Sequence, residues 1–346
     1  MIKYFYESIF VTIIGVICAY FWAEHVLPGS GLTSLFIVFV LSALEISLSF
    51  DNAVVNAMKL EKMSDKWRHR FLTWGIAIAV FGMRFLFPVL IVAVFANLSM
   101  LKVAQMAFND ADSYAHYLHL THAPIVAFGG AFLMMLFLHY FLNHEKEIHW
   151  VKVIEEKLSN IAHIEGVETI ITLVMLYITQ THVPEESRLA VVLSGISGVI
   201  LYLLIDGVSK YLERKEAQRS AQLVGDAVRT GGLVTFLYLE LIDASFSLDG
   251  VLGAFALSKD IVIISIGLAI GAIFVRSLTI MLVEKNTLKQ FRYLEHGAHW
   301  AIGALAAIMF YSTYQEVPEI VTGLLGLFFI VASLISSIKY NREKVS

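Results

Sequence analysis

Two short runs of polar residues, each set in apolar sequence, carry groups that could bind an ion. The first run, Glu45–Asp51, reads EISLSFD, and the second, Asp243–Asp249, reads DASFSLD. Both follow the pattern acid-x-Ser-x-Ser-x-Asp, with an apolar residue at every x. Their carboxylate, hydroxyl and amide oxygens suit Mg²⁺, Ca²⁺ and Mn²⁺ rather than Zn²⁺ or copper. The predicted metal ligands are Glu45, Ser49, Asp51, Asn52, Asp243, Ser247 and Asp249.

Seven charged residues lie inside long apolar segments, five acids and two arginines. They are Glu45, Asp51, Glu240, Asp243, Asp249, Arg84 and Arg276. A charge at the bilayer centre costs about 2.5–3.5 kcal/mol, so all seven must face inward and find partners. In one reading the arginines simply neutralise acids and lock the helices together. In the other, the surplus of acids needs a cation or protons, and Arg84 and Arg276 serve as structural counter-charges.

The elements that hold these residues are predicted to be membrane helices. The 346-residue chain is 58% apolar and 16% charged, with a mean hydropathy of +0.73. These values argue against a soluble enzyme, a disordered protein and a nucleic-acid binder. Cys18 is the only cysteine, which excludes an intrachain disulfide. Ten spans are predicted, at 5–23, 33–57, 71–96, 123–142, 166–182, 189–206, 231–257, 261–283, 298–313 and 319–338.

The distribution of Lys and Arg supports this count of spans. If the N-terminus is cytoplasmic, the outer loops hold only Lys102, Arg188 and Lys259. Apart from the two intramembrane arginines, every other Lys and Arg then lies on the inner side, as the positive-inside rule requires. We therefore expect both termini to be cytoplasmic, in a bacterial inner (plasma) membrane.

An internal repeat accompanies the two acid motifs. In the span that follows each motif, a glycine stands nine residues before an arginine, as Gly75 before Arg84 and Gly267 before Arg276. The repeat unit is about five helices, and an odd number gives the halves opposite directions across the membrane. The predicted fold is an all-α polytopic membrane protein with two inverted five-helix repeats, residues 1–182 and 183–346. The alternative is a chance likeness of two polar helix segments.

The spacing within the motifs predicts an interrupted helix. On a regular helix, Glu45, Ser49 and Asn52 share one face, while Asp51 lies on another. An unwound or kinked stretch would let both faces converge on one ion and would expose backbone carbonyls. A regular helix that is buried on two sides is the alternative.

The motifs resemble those of the TerC-type integral membrane proteins, which are known as tellurium-resistance proteins. The matching residues read DNAVVNA from Asp51 to Ala57 and DASFSLDG from Asp243 to Gly250, and the resemblance covers about residues 33–310. The family belongs with the LysE-like exporter superfamily, and several members are regarded as manganese exporters. The resemblance therefore implies Mn²⁺ transport, with Asp51, Asn52, Asp243 and Asp249 at the family's motif positions. Two departures are the Asp-Gly of the second motif, where common members have Asp-Ser, and the ten predicted spans.

The sequence thus predicts a secondary transporter that exports a divalent metal cation, with Mn²⁺ favoured and with coupling to proton entry. The expected partners are the lipid bilayer and the metal ion, which is the substrate, and no further cofactor is expected. A non-transporting scaffold in a metal or tellurite stress complex and a LysE-like small-solute exporter remain open. We do not expect an enzyme, because the chain has no His-Glu-x-x-His and no Gly-x-Gly-Asp motif. A cluster of histidines, His116, His119 and His122, beside Asp110 is a further candidate for capturing metal.

Overall fold

The computed structural model places most of the chain in helices. The structure describes residues 2–78, 82, 86–143, 148–161, 163–220, 236–237, 239–240, 243, 254, 257–258, 260–284, 291–315 and 317–345. Within these ranges every regular element is a helix and there is no strand, in agreement with the predicted all-α class.

Fourteen α-helices have bounds within the described ranges. In chain order they are α1 (Tyr6–Val26), α2 (Gly31–Leu48), α3 (Phe50–Lys62), α4 (Asp65–Ala77), α5 (Phe87–Phe95), α6 (Met100–Asn109), α7 (Ala111–Leu120), α8 (His122–Phe141), α9 (Lys152–Ile161), α10 (Val167–Gln180), α11 (Glu185–Ser220), α12 (Ile261–Glu284), α13 (Leu294–Ser312) and α14 (Glu319–Val345).

Five helical segments in the described part of the chain are long and apolar enough to cross a membrane. They are Tyr6–Val26, His122–Phe141, Glu185–Val208, Ile261–Glu284 and Leu324–Glu343. Two shorter apolar helical segments, Gly31–Ile46 and Val167–Gln180, coincide with further predicted spans. The predicted seventh span, 231–257, lies mostly outside the described residues. Membrane association is therefore supported, while the full count of ten spans stays a prediction.

Two helices form the centre of the bundle. Helix α8 is mostly buried and packs against α11 and α13, while α12 is mostly buried and packs against α1, α2 and α3. Helices α1 and α14 are mostly exposed, and α1 presents large apolar side chains such as Phe10 and Phe21 to the outside. An apolar exposed face of this length is the surface that a lipid bilayer would cover.

The loop between the third and fourth predicted spans contains two helices that the hydropathy pattern did not predict. Helices α6 and α7 place Val103 and Tyr114 in one buried cluster with Leu41 of α2 and Leu268 of α12. Asp110 caps α7, because its carboxylate accepts hydrogen bonds from the hydroxyl of Ser113 at 2.6 Å and from its backbone N–H at 3.1 Å. These bonds lower the pKa of Asp110. The two helices therefore cover one end of the α2–α12 pair.

The first acid motif lies where one helix ends and another begins. Helix α2 ends at Leu48, α3 begins at Phe50, and Ser49 between them has φ −101° and ψ 13°. The backbone N–H of Ser49 still donates to Glu45 O at 3.0 Å, and that of Ala53 to Ser49 O at 3.1 Å. The interruption that we predicted from the motif spacing is thus a local distortion at Ser49 and not a long unwound segment.

Candidate functional site

The acid that opens the first motif is buried at the end of α2. Glu45 is 1% exposed, and its Oε1 accepts a hydrogen bond of 2.8 Å from the hydroxyl of Ser49. Gly271 of α12 lies directly behind it, since a Cβ added there would be 2.5 Å from Glu45 Cβ. A hydrogen bond from a neutral hydroxyl helps to solvate a buried carboxylate. The close approach of the α12 backbone at Gly271 therefore fixes the position of Glu45 Cβ.

A side-chain hydrogen bond joins the residue that follows the first motif to the second motif. Asn52, which is fully buried in α3, donates from Nδ2 to Asp243 Oδ1 at 2.6 Å. Asp243 is the acid that opens the second motif and is half-buried. The two motifs are separated by almost two hundred residues of chain, yet this bond brings them into contact. Their convergence at one place is therefore a property of the fold.

The buried arginine of α12 faces a second acid. Arg276 Nη2 lies 3.9 Å from Glu240 Oε1, and both side chains are less than a tenth exposed. The guanidinium also donates to the backbone carbonyl of Phe71 and lies 4.3 Å from the centroid of the Phe71 ring. Gly75 of α4 leaves room for the pair, since a Cβ there would collide with the guanidinium and lie 2.7 Å from Glu240 Oε1.

A small cavity lies beside these groups. The space open to the centre of a water-sized sphere is about 20 Å³, which is enough for one water molecule or a small ion. Its described lining residues are Asn56, Phe71, Glu240, Asp243, Ala272, Val275, Arg276 and Thr279.

One residue that lines the cavity has a buried acceptor atom without a hydrogen-bond partner among the described residues. Asn56 Oδ1 is buried and has no hydrogen-bond partner among the described residues. Buried polar atoms in native structures are nearly always satisfied by protein, water or an ion. Because Asn56 shares the cavity with the carboxylates of Glu240 and Asp243, the acceptor side of the cavity is suited to a cation.

Several predicted site residues lie outside what the structure describes. Arg84, Ser247 and Asp249 fall on undescribed residues, and Asp51 is placed only by the backbone of α3. Among the described residues there is no group of three or more His, Cys, Asp or Glu side chains that could hold a metal. This includes the histidines near Asp110. A complete ligand shell with Asp51 and Asp249 stays a prediction.

The two halves of the chain make matching contacts near the site. Ser42 lies three residues before Glu45, and its hydroxyl donates to Gly267 O of α12 at 2.9 Å. Glu240 lies three residues before Asp243, and it approaches Gly75 of α4. Each glycine is the one that stands nine residues before an arginine.

A second pair of contacts follows the same correspondence. Val38, seven residues before Glu45, shares a buried cluster with Ile263, which lies four residues before Gly267. Phe236, seven residues before Asp243, contacts Phe71, which lies four residues before Gly75, with ring centroids 6.2 Å apart. The motif segment of each half thus packs against the glycine-bearing helix of the other half.

Sequence reasoning missed the close approaches behind the site. Gly271 and Phe71 both shape it, and neither carries a functional group. Small residues near intramembrane charges are the signal that could have indicated tight helix crossings, because Gly lets neighbouring helices approach. The helix that packs against each glycine depends on the tertiary fold and cannot be predicted from the positions of small residues.

The fold and site define a helical protein whose long apolar helices suggest a membrane protein with buried acids at its helix crossings. The chain belongs to the family described as "Protein of unknown function (DUF475)", whose profile matches residues 50–344. No curated protein and no solved structure matches the chain. The matched region contains the whole second motif but only Phe50 and Asp51 of the first.

Proposed function

We propose that the protein is a secondary transporter that exports a divalent metal cation, with Mn²⁺ as substrate. The observation that carries the proposal is the cavity where Asn56, Glu240 and Asp243 meet beside the Asn52–Asp243 bond. It lies where the two acid motifs come together. The further ligands of the proposed site are Glu45, Ser49, Asp51, Ser247 and Asp249.

The charges of the described residues favour a cation as the ligand. Glu45 and Glu240 are buried and Asp243 is half-buried, whereas Arg276 is the one positive side chain in contact with this cavity among the described residues. Leaving a buried carboxylate uncompensated costs several kcal/mol. A divalent ion, or protons in its absence, would balance the remaining charge.

The ligand atoms and the family resemblance narrow the choice of ion. The site offers carboxylate, amide and hydroxyl oxygens, which suit Mg²⁺, Ca²⁺ and Mn²⁺. We select Mn²⁺ because the motifs resemble those of TerC-type proteins, several of which are regarded as manganese exporters. Arg276, held between Glu240 and the Phe71 carbonyl, is proposed as a structural counter-charge to Glu240.

We propose two inverted five-helix repeats, residues 1–182 and 183–346, as the architecture. Support comes from the matching contacts, in which Ser42 meets Gly267 while Glu240 meets Gly75. Reciprocal packing of this kind is what a two-fold relation between halves produces. In transporters with inverted repeats, the substrate site lies between the repeats near the bilayer midplane, and one half rocks against the other.

Export would be coupled to proton entry across a bacterial inner membrane, with both termini in the cytoplasm. Moving a divalent ion out against an inside-negative potential costs about 4.6 kcal/mol per 100 mV. Protons that enter would occupy the carboxylates when the metal leaves, since ligand carboxylates must be deprotonated to bind metal. The same carboxylates would then bind the metal ion and the protons alternately.

The test is ion flux in liposomes that contain the purified protein. Mn²⁺, Ca²⁺, Mg²⁺, Zn²⁺ and tellurite are compared in the wild type, in Asp51→Asn and in Asp249→Asn. We expect Mn²⁺ flux that depends on a proton gradient and is abolished in both variants. Glu186→Gln is the matched control, because it removes an exposed carboxylate at the start of α11.

Two outcomes would contradict the proposal. Flux of none of the ions by correctly folded wild-type protein would favour a scaffold without transport activity. Mn²⁺ flux that is unchanged in Asp51→Asn and Asp249→Asn would remove the acid motifs from the transport path.

A further inference from the structure

Helix α9 is fastened to the bundle by a buried carboxylate. Glu155 is 1% exposed, and its Oε1 accepts hydrogen bonds of 3.1 Å from Trp300 Nε1 of α13 and from the backbone N–H of Val151. Its Oε2 accepts a bond of 3.1 Å from the backbone N–H of Trp150. Glu155 therefore caps the first turn of α9 and docks that turn on α13.

Two histidines lie close to this carboxylate. His149 Nδ1 and His296 Nε2 each lie 3.6 Å from Glu155 Oε2. His296 Nε2 also lies 2.7 Å from the backbone oxygen of Ile148, to which it donates. The segment before α9 is thus held against the start of α13. Because Glu155 and the segment before α9 are both bonded to α13, the rotation of α9 about its own axis is fixed.

The opposite face of α9 is apolar and exposed. Val153 and Lys157 are each two residues from Glu155, which places them on the far side of the helix. Ile154 and Ile161 lie beside Lys157 and Asn160 lies beside Val153, and the exposed fractions of Val153, Ile154 and Ile161 are 70%, 46% and 36%. This stripe lies outside the predicted crossing helices, where water would otherwise contact it. An exposed apolar stripe of this kind marks a surface that something covers.

Helix α9 is followed closely in the chain by α10, a short apolar helix that also exposes apolar side chains. After α9, Ile164 is 47% exposed, and the chain turns at Gly166, whose φ of 71° suits glycine. Helix α10 then begins at Val167 and exposes Ile170 and Tyr177, by 53% and 69%. Exposed apolar residues thus occur on both helices, shortly before and shortly after this turn.

We propose that α9 is an interfacial helix that lies in the plane of the bilayer surface. Its stripe of Val153, Ile154 and Ile161 would sit at the boundary between headgroups and acyl chains, as in amphipathic helices that bind membranes. Lys157, in the middle of the stripe, extends its amine toward anionic phospholipid headgroups, while its alkyl chain lies along the apolar face. The occupant of this surface is therefore the phospholipid bilayer itself. The inference does not depend on which ion the protein transports.

Spin-label depth measurements test this orientation. In a Cys18→Ser background, single cysteines at Val153, Ile161 and Glu156 carry a nitroxide in nanodiscs of phosphatidylglycerol and phosphatidylcholine. Glu156 is the control, because it is exposed on the flank of α9. We expect labels at 153 and 161 to collide with oxygen at least threefold more, relative to a water-soluble nickel chelate, than the label at 156. In phosphatidylcholine alone, the depth at 153 and 161 should decrease.

Each other result would overturn part or all of the proposal. Equal access of the nickel chelate at the three positions would place α9 in water. Low access to both oxygen and nickel, together with dipolar coupling between labels on two copies, would show that a second chain covers the stripe. Depths that do not respond to lipid charge would remove the contact of Lys157 with anionic headgroups. Unchanged thermal unfolding and unchanged elution on size exclusion show that the labelled proteins remain folded.

Discussion

Two helix crossings near the site make contacts at corresponding positions, but the side chains at those positions differ in charge. Where α2 crosses α12, Ser42 donates to the carbonyls of Val38 and Gly267, at 2.8 and 2.9 Å, and Glu45 rests on Gly271. In the segment before the second motif, the residue that corresponds to Ser42 is Glu240, which approaches Gly75 of α4 and faces Arg276 at 3.9 Å. One crossing is neutral at this position and the other is charged.

The difference indicates where the protein can exchange charge. A buried hydroxyl that donates to carbonyls has its hydrogen bond satisfied and stays neutral. A buried ion pair is balanced by attraction against a desolvation cost of several kcal/mol, so it responds to any new charge beside it. The cavity lies at the charged crossing, lined by Glu240, Asp243 and Arg276. We infer that the neutral Ser42–Gly267 contact holds the helices together, while the ion enters beside the charged Glu240–Arg276 pair.

The largest effect is expected from breaking the charged crossing. Arg276→Gln leaves the carboxylate of Glu240 without its guanidinium, and we expect a loss of about 3–5 kcal/mol in the free energy of unfolding. Stability is measured by denaturant titration of the purified protein in detergent. The double variant Arg276→Gln/Glu240→Gln removes both charges and should recover at least half of the loss. A double variant that is as unstable as the sum of the single ones would show that the two side chains do not interact.

A smaller effect is expected from the glycines, and it should differ between the crossings. Gly271→Ala places a methyl group against Glu45 Cβ and the backbone oxygen of Ser42, which cannot move, and should cost about 1–3 kcal/mol. Gly75→Ala meets only the ends of the Arg276 and Glu240 side chains, which can shift. Its cost in stability should be the lower of the two. Equal losses, measured by the same titration, would mean that the neutral crossing is no tighter than the charged one.

The smallest effect is expected from the hydroxyl of the neutral crossing. Ser42→Ala removes one donor while both carbonyl acceptors stay in place, and it should lower the free energy of unfolding by about 1 kcal/mol. Ser336→Ala is the matched control, because its hydroxyl donates at 2.8 Å to a carbonyl of its own helix, Ala332 O. If Ser336→Ala lowers the free energy of unfolding as much as Ser42→Ala does, the bond from Ser42 to Gly267 adds no stability beyond that of a bond within one helix.

Long apolar helices could be predicted from the sequence, and short ones could not. The predicted spans at 123–142 and 261–283 match α8 and α12 within a few residues, because a run of about twenty apolar residues is a strong signal. Helices α6, α7 and α9 have ten residues each and mix polar with apolar side chains. In such segments, packing against the bundle decides the structure, and hydropathy does not reveal it.

The same limit applies to the candidate site. Glu45, Asp243 and Arg276 could be predicted from the sequence, because a charge inside an apolar span is costly and therefore indicates a function. The bond between Asn52 and Asp243 joins distant parts of the chain and depends on how the helices cross. The buried Glu155 lies in a charged connector, where nothing in the local sequence separates it from the exposed Glu156.

Equilibrium binding of Mn²⁺ is the most direct test of the central claim that the joined acid motifs hold a divalent ion. The electron paramagnetic resonance signal of free Mn²⁺ falls as the ion binds, so titration of the purified protein in detergent gives stoichiometry and affinity. We expect one ion per chain in the wild type and in the Glu186→Gln control. Asp243→Asn should bind at least about tenfold more weakly, a loss of about 1.4 kcal/mol or more. Wild-type protein that binds no Mn²⁺, or Asp243→Asn that binds it as tightly as the control, would contradict the account.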